Sequence, residues 1–373
     1  MKLNKLSILS FKNIEQAELE FSAGINCFTG SNGAGKTNLI DSIHYLSMCK
    51  SSLSVTDTQS LRHGADFFML QGDYTSDGGR HESVVCSFKY SGGKKVKRNG
   101  KEYEKLSDHI GVVPVVLVSP SDVFLVNEAA DERRRWLNAF ISQLDKHYLA
   151  TLIRYNNVLA QRNRLLKQLS ESGSGNELME ILDEQLAMLG TSINRTRADY
   201  VERLRPLTAE YYSFIAEDRE QVEITYRSEL NDRPFDEILD SSSQKDLVCQ
   251  FTTSGIHRDD IVMKIGGYPL KKYGSQGQQK SFLIALKLAQ HRIIAEQTNE
   301  QPLLLLDDLF DKLDVNRLER LIDLTGSGDF GQIFISDCNR SRIIAIFDAC
   351  GVEYSLFDID GGEVMVAQKE LES

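Results

Sequence analysis

A glycine-rich segment near the start of the chain limits its possible folds more than any other feature. An apolar run at 24–29 precedes the segment and apolar residues at helical spacing follow it, which predicts a strand-to-helix connection. Glycine permits the tight turn that points successive N–H groups at one anion, and a helix N-terminus adds positive charge. The segment fits the P-loop pattern G-x-x-x-x-G-K-[ST] and reads Gly30-Ser31-Asn32-Gly33-Ala34-Gly35-Lys36-Thr37, with Asn38 directly after it. It predicts a phosphate-binding loop in an α/β fold.

Carboxylates that could complete a magnesium site follow the most apolar run of the chain. Four consecutive leucines, 303–306, are followed by Asp307 and Asp308. A run this apolar predicts a buried parallel strand, and ligands bind at the carboxyl ends of such strands. Lys36 is expected to reach the β- and γ-phosphates of a nucleotide, and the Thr37 hydroxyl and Asp307 to hold Mg²⁺. Asp308 would orient the attacking water; the alternative is that it only caps the following turn.

A second anion site is predicted where a Ser/Gly-rich turn begins another helix. Ser275 precedes apolar residues at helical spacing, 282–293. Its hydroxyl would cap the helix, and the N–H groups of the first turn, which includes Gly277 and Gln278, would face an anion. Alone this motif has little specificity, so its meaning depends on the rest of the chain.

Length, charge and cysteine use restrict the classes of protein. The 373 residues exceed one typical domain, and we predict an ATP-binding lobe, 1–130 and 296–373, and a helical lobe, 131–295, that includes the second anion site. A net charge of -11 means that nucleic acid would be met only by local basic patches. Six cysteines without a C-x-x-C pair indicate reduced thiols and a cytoplasmic location, and no apolar run is long enough for a membrane span.

The first third of the chain is predicted to be rich in strands. Alternating residues at 5–8 and 17–21 indicate an antiparallel pair that leads into the P-loop strand, and further strand-like runs lie at 68–72, 83–90 and 112–118. Between these runs, residues 94–101 carry five cations on a predicted hairpin. This charged hairpin predicts either a solvated turn or a contact with the DNA backbone.

The middle of the chain predicts a helical hairpin. Apolar or long residues recur at spacings of three and four over 148–169 and over 182–207, on either side of a polar linker at 170–176. Pro206 is expected to end or kink the second helix. Basic residues, most of them off the apolar seam, predict either a solvated surface or a DNA contact. They are Arg154, Arg162, Arg164, Lys167, Arg195, Arg197, Arg203 and Arg205.

Together these motifs resemble those of the ABC-type ATPases of the SMC group, and within that group the RecF family of bacterial recombination mediators. The resemblance covers nearly the whole chain. Besides 33–40 and Asp307-Asp308, it rests on Phe11-Lys12-Asn13, Ser119-Pro120-Ser121-Asp122, Arg133-Arg134-Arg135-Trp136-Leu137, Gln161-Arg162-Asn163, His257-Arg258-Asp259-Asp260, Ser275-Gln276-Gly277-Gln278-Gln279-Lys280 and Lys312-Leu313-Asp314. The chain departs from the family at Ser54, Asn138 and Ile256, where Arg, Asp and Pro are usual.

The resemblance implies a head of mixed sheet and helices, a short antiparallel coiled-coil arm, and a homodimer that depends on ATP and Mg²⁺. Ser275, the Gly277 backbone and Gln278 of one subunit would face the γ-phosphate held by the P-loop of the other. ATP would then join the subunits, and hydrolysis would separate them. Asp122 would lie in the loop that senses the γ-phosphate.

Two departures from other ABC ATPases imply slow hydrolysis. Asp308 stands where a glutamate is usual, and no switch histidine occurs at Ser336-Asp337. The shorter carboxylate is expected to place the attacking water less well. His257 and Arg258 would either lie near the opposing nucleotide or brace the core.

The partners implied by the resemblance are DNA, as duplex near single-strand gaps or junctions, and a RecR-like mediator protein, with no membrane partner. The implied role is repair and replication maintenance, in which the protein helps to load the RecA recombinase. Two alternatives remain. An SMC-like bridge is disfavoured because the predicted arm has only about five turns per helix. A transporter-energising ATPase is disfavoured by the arm, the double aspartate and the missing histidine.

Overall fold

The computed structural model describes residues 1–53, 55–172, 176–217, 220–308, 315–326 and 328–367. The chain divides into two compact units. The first consists of Met1–Val123, Glu210–Arg219 and Ser275–Ser373, and the second of Phe124–Ala209 and Glu220–Gly274. Compared with the predicted lobes, the second unit also includes 124–130, and the first unit also includes 210–219 and 275–295. The helix after Ser275 therefore belongs with the first unit. It does so because it packs on a strand of that unit, where Lys287 Nζ donates to Leu117 O at 2.8 Å.

The described strands and helices are as follows. The strands are β1 (Lys2–Phe11), β2 (Ile14–Glu20), β3 (Ile25–Thr29), β4 (Phe67–Thr75), β5 (His81–Lys89), β6 (Gly93–Arg98), β7 (Lys101–Glu102), β8 (Val115–Val118), β9 (Val222–Arg227), β10 (Asp260–Ile265), β11 (Tyr268–Pro269), β12 (Leu303–Leu306), β13 (Ile333–Asp337), β14 (Tyr354–Asp360) and β15 (Glu363–Ala367). The helices are α1 (Lys36–Met48), α2 (Val123–Asn127), α3 (Ala130–Leu144), α4 (Lys146–Ser172), α5 (Asn176–Ala216), α6 (Phe235–Cys249), α7 (Leu270–Tyr273), α8 (Gln276–Thr298), α9 (Val315–Gly326) and α10 (Arg340–Cys350).

A mostly parallel sheet forms the centre of the first unit. Its order is β15-β14-β3-β13-β12-β8, with β15 antiparallel at one edge. All four leucines of β12 are fully buried, which confirms the predicted buried parallel strand. Because β3, β12 and β13 run parallel, their carboxyl ends lie at one edge of the sheet. The segments that follow Thr29, Leu306 and Asp337 therefore meet at that edge.

The first unit also contains an antiparallel sheet of order β2-β1-β4-β5-β6-β7. β1 and β2 pair with Leu6 opposite Leu19, which confirms the predicted antiparallel pair. β6 and β7 form the charged hairpin, whose turn is Asn99-Gly100 with φ values of 50° and 79°. A two-residue turn of this composition favours a tight hairpin because both residues tolerate positive φ.

The second unit contains a small sheet of order β11-β10-β9 and most of the helical arm, which we define as α4 and α5. α4 reaches Ser172 and α5 begins at Asn176, so the predicted linker at 170–176 is largely helical, while 173–175 lie outside the described residues. Pro206 does not end the second helix, since α5 continues to Ala216, so that part of the prediction is wrong. Burial of the neighbouring Leu204 opposes the loss of the backbone hydrogen bond at the proline. None of the described helices is long and apolar enough to cross a membrane.

Candidate nucleotide-binding site

The P-loop joins β3 to α1, and its backbone requires glycine at two places. Gly30 has φ 154°, and a Cβ atom there would lie 2.2 Å from Ile359 O of β14. Gly35 has φ 123° and lies directly before the first residue of α1, where a Cβ atom would meet the Asn13 side chain at 2.8 Å. Side chains other than hydrogen cannot occupy these positions without moving the backbone. The loop geometry therefore follows from the motif, as predicted.

Lys36 begins α1 and is buried, with 6% of its surface exposed. Its Nζ donates to Gly30 O at 2.7 Å and to Ser31 O at 3.0 Å, so the ammonium group lies across the concave side of the loop. It makes no ion pair with a carboxylate of the described residues. Among the described residues, no carboxylate therefore competes with a phosphate for this ammonium group.

Thr37 and Asp307 meet at the sheet edge, as the sequence predicts. Thr37 Oγ1 donates to Asp307 Oδ1 at 3.1 Å, and Ser336 Oγ donates to the same oxygen at 2.6 Å. Burial raises the pKa of Asp307 and the nearby Asp308 adds to this, while the two hydroxyl groups and Lys36 oppose it. A divalent cation would reverse that penalty, and hydroxyl and carboxylate oxygens are the donors that Mg²⁺ prefers. The residues present therefore fit a Mg²⁺ site formed by Thr37 and Asp307.

Asp308 follows in a left-handed backbone conformation, with φ 46°. Its N–H donates to Ser336 Oγ at 3.0 Å, so the same serine fixes both aspartates. Its side chain is partly exposed, as a residue that orients water must be. The alternative prediction, that Asp308 caps the following turn, concerns residues outside the described part of the chain. Lys312, Leu313, Asp314 and Ser54 also lie outside the described residues.

Two asparagines brace the P-loop from behind. Asn38 Nδ2 donates to Asn13 Oδ1 at 2.7 Å, and Asn13 Nδ2 donates to Ala34 O at 3.0 Å. Gly362, in the β14–β15 turn, donates its N–H to the same carbonyl at 2.8 Å. Sequence reasoning assigned no role to Asn13 beyond its place in a matching segment. Ser336 was likewise noted only because no histidine stands there.

The helix cap predicted for Ser275 forms at the start of α8, while its role as an anion site stays a prediction. Gln278 N donates to Ser275 Oγ at 3.2 Å, and Ser275 N donates to Gln278 Oε1 at 2.7 Å, so the two residues make a capping box. Ser275 is exposed. A Cβ atom on Gly277 would lie 2.9 Å from Arg317 Nη1. Arg317 is therefore a further cation at this helix start, and the sequence patterns did not single it out.

Asp122 lies in a short turn after β8 and is held on both sides. Its Oδ1 pairs with Lys287 Nζ at 2.7 Å, and its Oδ2 accepts from Ser119 N at 2.7 Å. Both side chains of the ion pair are mostly buried, 13% exposed for Asp122 and 8% for Lys287. The contact with α8 links the predicted γ-phosphate-sensing loop to the helix that carries Ser275. Its sensing role stays a prediction.

His257 braces the core of the second unit. Its Nδ1 lies 2.9 Å from the Tyr155 hydroxyl and its Nε2 lies 3.0 Å from Thr252 O. Burial lowers the pKa of His257 to about 4, so the ring is neutral near pH 7. Of the two interpretations of this residue, the contacts favour bracing. Arg258 lies over the Phe251 ring at 5.4 Å and lines a cavity of about 340 Å³.

The basic residues of the arm divide into buried and exposed sets. Arg162 and Arg197 are 1% and 2% exposed and pair with aspartates, so a DNA contact is wrong for these two. The others of the predicted set are exposed, among them Arg154, Arg164 and Arg195. Arg162 and Arg197 are buried because both occupy positions on the apolar seam of the arm.

The charged hairpin is largely neutralised by nearby acids. Lys94 pairs with Asp57 at 2.9 Å, and its side chain is only 15% exposed. Lys95 pairs with Glu102 at 3.4 Å, and Arg98 makes a two-pronged contact with Glu82. Lys97 and Lys101 remain exposed, with no ion pair among the described residues. Ion pairs with nearby acids, without a DNA contact, therefore account for three of the five cations.

The sheet order, the P-loop beside a buried strand that ends in aspartate, and the capped second anion site define a head of the ABC-type ATPases of the SMC group. The family described as "RecF/RecN/SMC N terminal domain" matches residues 2–352. A solved Smc head bound to a winged-helix domain has the same fold, with a TM-score of 0.58 at 15% identity over 100% of this chain and 98% of that one.

Within this group the chain belongs to the RecF family. It is 46% identical to the DNA replication and repair protein RecF of Bacteroides thetaiotaomicron over 98% of both chains. It is 41% identical to the protein of that name from Flavobacterium johnsoniae, over 96% of this chain and all of that one. A solved structure of the recombination mediator RecF with ATP, described as part of the RecFOR pathway, is 32% identical with a TM-score of 0.88, over 98% and 97% of the two chains.

Proposed function

We propose that this protein is an ATP-dependent DNA-binding switch of recombinational repair and replication maintenance. The observation that carries the proposal is the meeting of Thr37 with Asp307, beside the buried Lys36, at one edge of the parallel sheet. The names of the relatives, DNA replication and repair proteins and a recombination mediator with ATP, support the same role. The exposed capping box at Ser275 supplies the surface for a second nucleotide contact.

The proposed cycle uses this chain's residues in distinct steps. Lys36 and the N–H groups of 30–38 bind the phosphates of ATP, and Thr37 and Asp307 hold Mg²⁺, which neutralises developing charge. Ser275, the Gly277 backbone and Gln278 of a second copy meet the γ-phosphate, so that two copies associate only when ATP is bound. Asp308 orients water for slow hydrolysis, which removes that contact and opens the dimer.

Sedimentation with and without ATP and Mg²⁺ tests the switch. ATP is expected to convert monomer to dimer, and Lys36→Ala to abolish the conversion because the γ-phosphate loses its main cation. Asp308→Asn should bind ATP normally and stay dimeric, because only the step that removes the phosphate is blocked. Lys89→Ala, an exposed lysine of β5, is the matched control for removal of a cation. An Asp308→Asn protein that hydrolyses ATP at the normal rate would contradict the role given to that carboxylate.

Binding to duplex DNA that carries a gap tests the partner. We expect binding that requires ATP and weakens steeply with salt, because phosphate contacts release counterions. The finer role, in which a RecR-like protein is engaged and RecA is loaded beside the gap, is tested by adding those proteins to the dimer on gapped DNA. A protein that dimerises with ATP but ignores DNA at every salt concentration would leave the fold assignment intact and overturn the DNA role.

A further inference from the structure

Two neighbouring tyrosines stand on the surface of the second unit without cover. β10 turns at Gly266-Gly267 into β11, which leads into the single-turn helix α7. Tyr268 begins β11 and Tyr273 ends α7, and their ring centroids lie 5.0 Å apart at an interplanar angle of 41°. The rings are 60% and 64% exposed. An isolated exposed aromatic residue is ordinary, but two adjacent rings that face solvent indicate a contact surface.

Leu270 fixes this surface to the unit. It is fully buried between the two tyrosines in sequence, while the neighbouring residues 266–269 and 271–273 are all exposed. β11 is also held to β10, with Ile265 opposite Tyr268. The rings are therefore presented from a short anchored hairpin, and they face outward from a defined backbone.

Basic residues predominate in the sequence around the two rings. Lys271 and Lys272 lie between the tyrosines and are exposed; the Lys271 ammonium group donates to Asn127 O, and Lys272 has no ion pair among the described residues. Lys264 lies opposite Pro269 and pairs with Glu223 at 3.4 Å. No aspartate or glutamate occurs from 261 to 295, although the chain has 54 acidic residues. We define Tyr268, Tyr273, Lys271 and Lys272 as the tyrosine patch.

We infer that the tyrosine patch binds single-stranded nucleic acid, with bases stacked on Tyr268 and Tyr273 and phosphates beside Lys271 and Lys272. Stacking of bases on aromatic rings within a basic groove is the usual way to hold a single strand, because every base has a flat face. A protein partner would use the same rings, but two exposed lysines between them, in a stretch at 261–295 without aspartate or glutamate, favour a polyanion. The inference rests on the proposed DNA role and assigns the single strand of a gap to these residues.

The test compares ring removal with a matched ring elsewhere. The full chain with ATP is titrated into a labelled oligo-dT of about 16 nucleotides, the upper size of one such site, and anisotropy is followed. Tyr268→Ala with Tyr273→Ala should weaken binding by about fivefold to 150-fold for each base stack that is lost. The corresponding Tyr→Phe pair should bind normally. Tyr90→Ala removes a ring that is 70% exposed and has no ring neighbour among the described residues, and it should have no effect.

A second readout isolates the lysines. Lys271→Gln with Lys272→Gln should reduce the slope of log affinity against log salt by roughly 0.7 for each phosphate that the protein no longer neutralises. Unchanged oligo-dT affinity in the double alanine variant would overturn the inference. So would failure of that variant to sediment as a dimer with ATP, since the patch would then belong to an interface between copies, or capture of a mediator protein by the patch with oligo-dT affinity intact.

Parallel titration with fully duplex DNA separates this inference from the proposed function. If the wild-type chain binds duplex but not oligo-dT, the tyrosine patch is not a single-strand site and the DNA role survives. If it binds neither, the proposed function itself fails.

Discussion

The buried charges of the P-loop site and those of the helical arm are compensated in different ways. In the first unit Lys36 is hydrogen-bonded to backbone carbonyls, and Asp307 accepts from two hydroxyl groups. Neither makes an ion pair within the described residues. In the second unit Arg162 contacts the carboxylates of both Asp183 and Asp246, the latter at 2.6 Å.

The difference separates a binding site from a structural cluster. A buried charge without an opposite charge is destabilising until a ligand supplies one, whereas a buried pair holds two elements together and leaves nothing for a ligand. Arg197 completes the contrast, since it donates to Ile256 O at 2.7 Å and pairs with Asp259 at 3.3 Å. The same residue types therefore leave charge available to a ligand at the P-loop and hold elements together in the arm.

The largest expected effect is the loss of stability when the ion pairs of Arg162 with Asp183 and Asp246 are broken. Arg162→Met should lower the free energy of unfolding by about 3–5 kcal/mol, because it leaves buried Asp246 without its cation. Urea unfolding followed by circular dichroism measures this. Arg164→Met, two residues away and exposed, is the control and should change stability by less than about 0.5 kcal/mol. Equal effects of the two changes would contradict the distinction between buried and exposed arginines.

The next prediction concerns stability at low pH, because a charge without a partner is unfavourable in the interior of the second unit. The pKa of His257 is lowered to about 4, so the folded state binds fewer protons than the unfolded state between that value and the ordinary one near 6.5. Its contribution to stability is complete above pH 6.5 and is lost as pH falls towards 4, on the order of 3 kcal/mol in total.

His257→Gln should flatten that part of the pH profile, measured as unfolding free energy at intervals from pH 7 to pH 4. His44 and His291 have pKa values lowered to about 4 by burial in the first unit, so a residual slope remains in the variant. A variant profile that overlays that of the wild-type chain would show that His257 does not titrate on unfolding.

Asp307→Asn tests the buried carboxylate beside the P-loop in the same way. Burial raises the pKa of Asp307, so its carboxylate lowers stability as pH rises through the raised value, and the amide removes that penalty. We expect the ligand-free variant to be more stable at pH 7 by about 1 kcal/mol, the usual gain when a strained functional site is relaxed. Mg²⁺ should no longer strengthen ATP binding, as calorimetry would measure. A less stable variant would mean that Asp307 is structural.

The smallest expected effect concerns the exposed arginines of the arm. Arg164→Gln and Arg195→Gln should each weaken duplex binding by about threefold and reduce its salt slope by roughly 0.9, one phosphate contact each. Gln161→Ala, a neutral exposed change on α4, is the control. If the slope is unchanged, the arm does not contact the backbone, and Lys97 and Lys101 of the charged hairpin become the next residues to change.

The nucleotide site was predictable from sequence because short-range motifs determine it. The P-loop and the capping box each lie within nine residues, and the run of leucines identifies β12 and places Asp307 at its end. What the sequence did not predict are long-range contacts. Ser336 lies 29 residues from Asp307, and no local pattern connects the two.

The arm was predicted in outline but not in its charges. Helical spacing identified both helices, yet Arg162 and Arg197 have the same local character as the exposed arginines. Only their partners, Asp246 at a separation of 84 residues and Asp259 at 62, show that they are buried. Pro206 failed as a helix terminator for a related reason, since tertiary burial overrides a local preference.

The contacts of the P-loop with the β14–β15 turn have a consequence for how ATP binding could be observed. Gly362 donates its amide N–H to Ala34 O, and Gly30 lies against Ile359 O, so one loop residue is hydrogen-bonded to the β14–β15 turn and another packs against β14. Any movement of the loop towards a phosphate must lengthen or shorten the hydrogen bond between Gly362 N and Ala34 O. Nucleotide binding would therefore change the rate at which the Gly362 amide hydrogen exchanges with deuterium. Gly362 lies outside the P-loop, and the measurement needs no label on the ligand or the loop.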